Sequence, residues 1–160
     1  MLNFPFVVDE DINVEQELIQ PVFSIKVVYG MTYKPLYIEL FHENENSIII
    51  SIKMNHVRER YEIGNIFIER HIAGGCLETR SCIFHFDRLL IGACSKMVYV
   101  GDWGRAECGL KFESLDGEQF YIVSGDYPYS VALIGDRFEA LGLVPEFALN
   151  EYHYEEIGPI

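Results

Sequence analysis

Short runs of alternating apolar and polar residues, separated by turn-forming ones, recur along most of this chain. Period-two alternation of that kind marks half-buried strands of an antiparallel sheet. Residues 4–8 open the series, and residues 22–29, 36–42 and 47–54 continue it. The last of these carries Ile48, Ile49, Ile50 and Ile52, apolar on both faces, which predicts a strand in the middle of its sheet. The link 43–46 reads Glu-Asn-Glu-Asn, short and polar, so the strands on either side are predicted to form a hairpin. A further strand is predicted at 66–72, after which Ala73-Gly74-Gly75 breaks the pattern.

Residues 79–91 carry two competing periods. Cys82, Phe86, Leu89 and Ala93 recur at helical spacing with Gly92 available as a C-terminal stop, whereas Phe84-His85-Phe86-Asp87 alternates as a strand would. The helix is the preferred expectation, its Cys82/Phe86/Leu89 face lying on the sheet. Segments 97–100, 109–114, 119–124 and 130–134 then predict a four-strand meander, with Asp116-Gly117 as a two-residue hairpin turn. Two smaller helical signals remain. Asn13 with Gln16 three places on can cap a turn or two before Pro21, in a segment that reads equally well as an acidic loop. Pro145 can open a helix toward the C-terminus, although Glu155 and Glu156 would oppose its dipole. The expected fold is therefore α+β: a mainly antiparallel β-sheet with a C-terminal-half meander and one packed amphipathic helix, in a single domain over residues 1–160.

Composition narrows this further. A chain of 160 residues buries about 70% of its unfolded surface in one core. Its hydrophobic fraction of 49%, rich in Tyr and Phe, rules out global disorder and favours strands. No run of 18 apolar residues occurs, and the first residues lack a basic, then apolar, leader, so the expectation is a cytoplasmic protein without membrane contact.

The charge is uneven. Residues 1–50 carry eight acidic and two basic side chains, residues 51–111 seven and nine, and residues 112–160 ten and one, for a net charge of -13. Such a field favours a basic partner and opposes phosphate backbones, which need Lys and Arg to release counterions. Arg58, Arg60, Arg70, Arg80 and Arg88 are expected to pair with the acidic flanks rather than to bind nucleic acid.

Three predicted strands end alike, at Gly101-Asp102-Trp103, Gly125-Asp126-Tyr127-Pro128-Tyr129 and Gly135-Asp136-Arg137-Phe138. Alternate turns of a meander share one end of the sheet. Asp102, Trp103, Asp126, Tyr127 and Tyr129 are thus expected together as a partner-binding patch, with Asp116 and Asp136 at the other end. Carboxylates beside exposed aromatic rings suit protein contacts.

Catalytic signatures are missing from the sequence: it has no G-x-S-x-G elbow, phosphate-binding glycine loop or H-E-x-x-H helix. Cys76, Cys82, Cys94 and Cys108 form no C-x-x-C pair, and a zinc site from His71, Cys76 and Cys82 lacks the familiar spacing, so no metal or cofactor is expected. The leading expectation is a non-enzymatic intracellular inhibitor that masks a basic protein such as a toxin or nuclease. In class character it is like bacterial immunity proteins, although no motif carries a family resemblance. The alternative is a small-ligand or enzymatic domain with a pocket near Gly74, Gly75 and Cys76, where His71 or His85 would serve as base.

Overall fold

A computed structural model of the protein describes residues 1–43, 46–70 and 80–157. Numbered in chain order, its strands form two mostly antiparallel sheets. One runs in the order β2 (Val7–Val8), β6 (Tyr61–Glu69), β5 (Ser47–Arg58), β4 (Pro35–Phe41), β3 (Val22–Tyr29), β7 (Arg80–Leu89). The other runs β11 (Val131–Gly135), β10 (Gln119–Ser124), β9 (Gly104–Ser114), β8 (Ile91–Gly101), β12 (His153–Glu156), with β1 (Leu2–Phe4) parallel to β9 beside Gly104–Ala106.

The inner faces of the two sheets meet in a shared core. Ile25, Ile38, Ile48, Ile50, Ile66 and Ile68 come from the first sheet, and Leu110, Phe112, Phe120, Ile122 and Leu133 from the second. β5 lies inside its sheet and is apolar on both faces, as its isoleucines require. Ile48, Ile50 and Ile52 enter the shared core, whereas Ile49 packs with Val28 and Tyr37 in a separate cluster. The link after β4 is a hairpin connection, closed by the pair Phe41↔Ser47 and by the His42 amide donating to Asn46 O at 2.7 Å.

The packed amphipathic helix is corrected by the structure. Residues 80–101 form strands β7 and β8, joined at Leu90, so a second sheet stands where a helix layer was expected. The period-two signal prevails because β7 completes a ladder with β3, from Tyr29↔Arg80 to Val22↔Leu89. Phe84 and Phe86 then turn toward the core and Ile83 and His85 toward solvent. Gly92, expected to stop a helix, sits in β8 at a register shift. Among the described residues the only α-helix is one turn, α1 (Val14–Glu17), with the Asn13 side chain accepting from the Gln16 amide. No helix opens at Pro145; the chain there makes a bridge to Gly125 and two short 3-10 turns, Asp136–Leu141 and Leu149–Glu151, lie on either side.

The N-terminal segment ties the sheets together. Between β1 and β2, Pro5 O accepts from the Asn65 side chain and the Phe6 amide donates to Glu107 Oε1 at 2.9 Å. Glu107 is buried and balanced by Lys96 at 3.1 Å and Arg105 at 3.6 Å, so this carboxylate is structural.

Candidate functional site

The strand directions gather the connections into two ends. One end carries the link between β3 and β4 (30–34), the turn between β5 and β6 (59–60), the β8–β9 turn (102–103) and the link between β10 and β11 (125–130). Ion pairs join these connections across the sheets, Lys34 to Asp126 at 3.2 Å and Arg58 to Asp102 at 2.7 Å.

The expected patch divides into two at this end. β10 is much shorter than β9, and its Val123 pairs with Gly109, five residues along β9 from the β8–β9 turn. That offset corresponds to about 17 Å of strand. The tip of the β5–β6 hairpin lies between the two groups: Arg58 meets Asp102, Tyr61 meets Trp103, and Arg60 and Glu62 line a cavity of about 290 Å³ with Asp126, Tyr127 and Glu146.

Asp102 and Trp103 therefore form a group of their own. The indole of Trp103 is half-buried, 6.0 Å from the Phe4 ring, 6.4 Å from Tyr61 and 6.5 Å from Tyr99. It also lies over Gly101, where a Cβ would come within 2.5 Å of Nε1. Trp103 acts as a lid on a second apolar cluster that includes Ile63, Met97, Cys108 and Tyr152.

The second group is more exposed. The 125–130 loop bonds to itself: the Gly125 amide donates to Ser130 O, the Ser130 amide to Tyr127 O, and the Ser130 hydroxyl to the same carbonyl at 2.5 Å. The Asp126 amide donates to Val144 O. A loop fixed in this way holds Tyr127 and Tyr129 outward, 54% and 58% exposed. Tyr129 takes φ +64, a left-handed backbone that costs a bulky residue roughly 1–3 kcal/mol and that clusters at functional sites.

Facing it across a groove of about 290 Å³ is the 30–34 link, which the sequence reading passed over. Met31 and Tyr33 are 81% and 89% exposed, and Pro35 and Leu36 face Pro128 and Tyr129 across the groove. A Met and a Tyr inside Gly-Met-Thr-Tyr-Lys-Pro, between two strands that have no need of apolar turn residues, was the available signal. Lys34, which lines the groove, pairs with Asp126, so both charges are engaged with each other.

Acidity is concentrated at the opposite end. Asp9, Glu10, Asp11, Glu15 and Glu17 lie there near the first sheet, and Glu113, Asp116, Glu118, Asp136 and Glu139 near the second, against Arg70, Arg88 and Arg137. Arg70 pairs with Asp11 and Glu17, and Arg137 with Glu118. At the aromatic end, Lys34, Arg58 and Arg60 nearly balance Glu59, Glu62, Asp102 and Asp126.

The remaining titratable groups are shaped by burial. It raises the Glu146 carboxyl above its usual range, while the Ser124 hydroxyl and the Gly64 amide pull the other way. It likewise raises the thiols of Cys94, Cys108 and Cys82, which opposes thiolate formation. Gly74, Gly75, Cys76 and His71, the core of the alternative pocket and of the zinc set, lie outside the described residues. Among the described residues no group of three or more His, Cys, Asp or Glu side chains converges to hold a metal, and no helix is long and apolar enough to cross a membrane.

Compared with known proteins, the chain matches no family model, no curated protein and no solved structure.

Proposed function

We propose that this chain is a non-enzymatic binding module that works inside the cell by masking a basic protein partner, of the inhibitor type that neutralises a toxin or nuclease. The observation that carries the reading is the aromatic end. Two links, one from each sheet, leave Met31, Tyr33, Tyr127 and Tyr129 in solvent, with Met31 and Tyr129 lining the apolar groove between them; the 125–130 loop bonds to itself, and in the 30–34 link the Thr32 hydroxyl bonds the Lys34 backbone. Rigid, exposed tyrosines supply large contact area at low ordering cost, which is how interface anchors gain affinity.

In this reading Tyr127 and Tyr129 are anchors, and Asp126 positions their loop through Lys34 rather than contacting the partner. Asp102 and Trp103 stay outside the contact. The net charge of -13 selects for a basic partner, yet most of it sits about 26 Å away, the length of an eight-residue strand such as β3. A Debye length of about 8 Å at physiological ionic strength screens that distance, so the acidic end acts on encounter rather than in the bound contact.

The test is parallel capture from cell lysate on the immobilised wild type and on a variant with Met31, Tyr33, Tyr127 and Tyr129 all changed to Ser. A basic protein retained by the wild type and absent from the variant supports the reading. Equal retention of that protein by both sinks it.

A further inference from the structure

We infer that His42 and Arg70 form an acid-sensitive clasp that holds the segment 9–20 against the end of the first sheet. His42 follows β4 and is buried, with 4% of its surface exposed. Its Nδ1 lies 3.1 Å from Pro21 O, and a carbonyl only accepts, so Nδ1 carries the proton and donates. Nε2 is then a bare lone pair, buried with no hydrogen-bond partner among the described residues. The neutral ring fits this site; a protonated ring would bury a second N–H with no acceptor among the described residues, a costly state.

The segment that covers His42 is held at a few points. The Pro21 carbonyl, just past its end, accepts the imidazole hydrogen bond. Arg70, just past β6, bonds Asp11 and Glu17 through its guanidinium, and its amide donates to Asp9 Oδ2 at 3.2 Å. Ile12, Leu18, Val14 and Ile19 lay the apolar side of the segment on the shared core.

Among the described residues the charged groups around His42 are Glu17 on α1 and Arg70 beyond β6, with Glu43 next to His42 in the chain and Asp9, Asp11 and Glu69 around Arg70. Glu17 favours the charged ring and Arg70 opposes it, and because the two are paired their effects largely offset. Burial is the first cause; it outweighs the opposing Pro21 hydrogen bond and holds the imidazole below its ordinary value of 6.5. The closed state therefore binds fewer protons than the open state below that value. Acid favours opening, and the opening constant rises by up to about tenfold per pH unit from 6.5 down to the lowered value of the closed state.

Hydrogen exchange of the intact protein, corrected for the intrinsic rate and followed from pH 7.5 to 5.5, tests this clasp. Amides of 10–20 should exchange progressively faster relative to β9 below pH 6.5, and His42→Phe should abolish the acceleration. His42→Gln, which keeps a donor for Pro21 O, provides the same comparison should the bulkier ring fail to fold. Should both variants unfold, the ring resonances of wild-type His42 decide: the clasp requires a neutral Nδ1–H tautomer at pH 7 whose protonation moves with the amides of Leu18 and Ile19. A flat wild-type exchange profile, the same acceleration in either folded variant, or a ring that titrates without those amides would overturn it.

Discussion

Trp103 is where the competing readings of the sequence part most clearly, and truncating it to Ala has a calculable cost. A fully buried Trp→Ala change loses about 3–5 kcal/mol, and the half-buried indole should lose roughly half of that. Its contacts with Phe4, Tyr61 and Tyr99 add geometry-dependent attraction, and aromatic pairs are worth about 0.5–1.5 kcal/mol beyond their area. The expected loss is about 2–3 kcal/mol. Trp103→Phe, which keeps a ring over Gly101, should lose about 1 kcal/mol. Urea unfolding followed by far-UV circular dichroism measures both, since the sole tryptophan is removed. Asp102→Lys breaks an exposed pair with Arg58 and should cost under about 1 kcal/mol. A Trp103→Ala protein within about 0.5 kcal/mol of wild type would refute the lid assignment and return the indole to the candidate contacts.

Gly64→Ala should lower stability by about 1–3 kcal/mol in the same assay, because its Cβ would meet Ile52 Cγ2 at 2.6 Å and Ser124 Oγ closer still where β6 passes β10. The usual entropic gain from Gly→Ala, about 0.4–1 kcal/mol, is too small to cancel that; removing the hydroxyl with Ser124→Ala should recover part of the loss. Glu146→Gln should stabilise the protein at pH 7. The folded carboxyl is held above its unfolded value, so the native state binds the extra proton, and stability falls as pH rises from the unfolded value through the folded one. The difference between Gln and wild type should therefore vanish in acid, and thermal melts at pH 4 and 7 compare the two.

The hydrophobic pattern carried the strand-rich character of the protein because its signal is local and redundant. Ile48, Ile49, Ile50 and Ile52 could only suit a strand buried on both faces, and that is where β5 lies. Residues 79–91 misled because Cys82, Phe86 and Leu89 satisfy a helical period as well as the strand period that pairing with β3 selects. Local spacing contains no record of that partner strand. The candidate site was legible in part: the 125–130 loop was marked by its Gly-Asp-aromatic run. Its companion at Met31 and Tyr33 is contributed by the other sheet, a juxtaposition set by how the sheets stack. The separation of Asp102 from Asp126 follows from the unequal lengths of β9 and β10, which turn residues alone do not fix.

The most direct test of the central claim is the binding kinetics of the isolated partner against single-site variants at two salt concentrations. Tyr127→Ala or Tyr129→Ala should raise the dissociation rate by roughly 30-fold or more, the equivalent of about 2 kcal/mol at an anchor, and leave association nearly unchanged. Neutralising Glu118 and Glu139 at the acidic end should slow association at low salt and leave dissociation alone. The contradicting result is the reverse: tyrosine variants that dissociate at the wild-type rate, with fast release appearing only when the acidic end is neutralised.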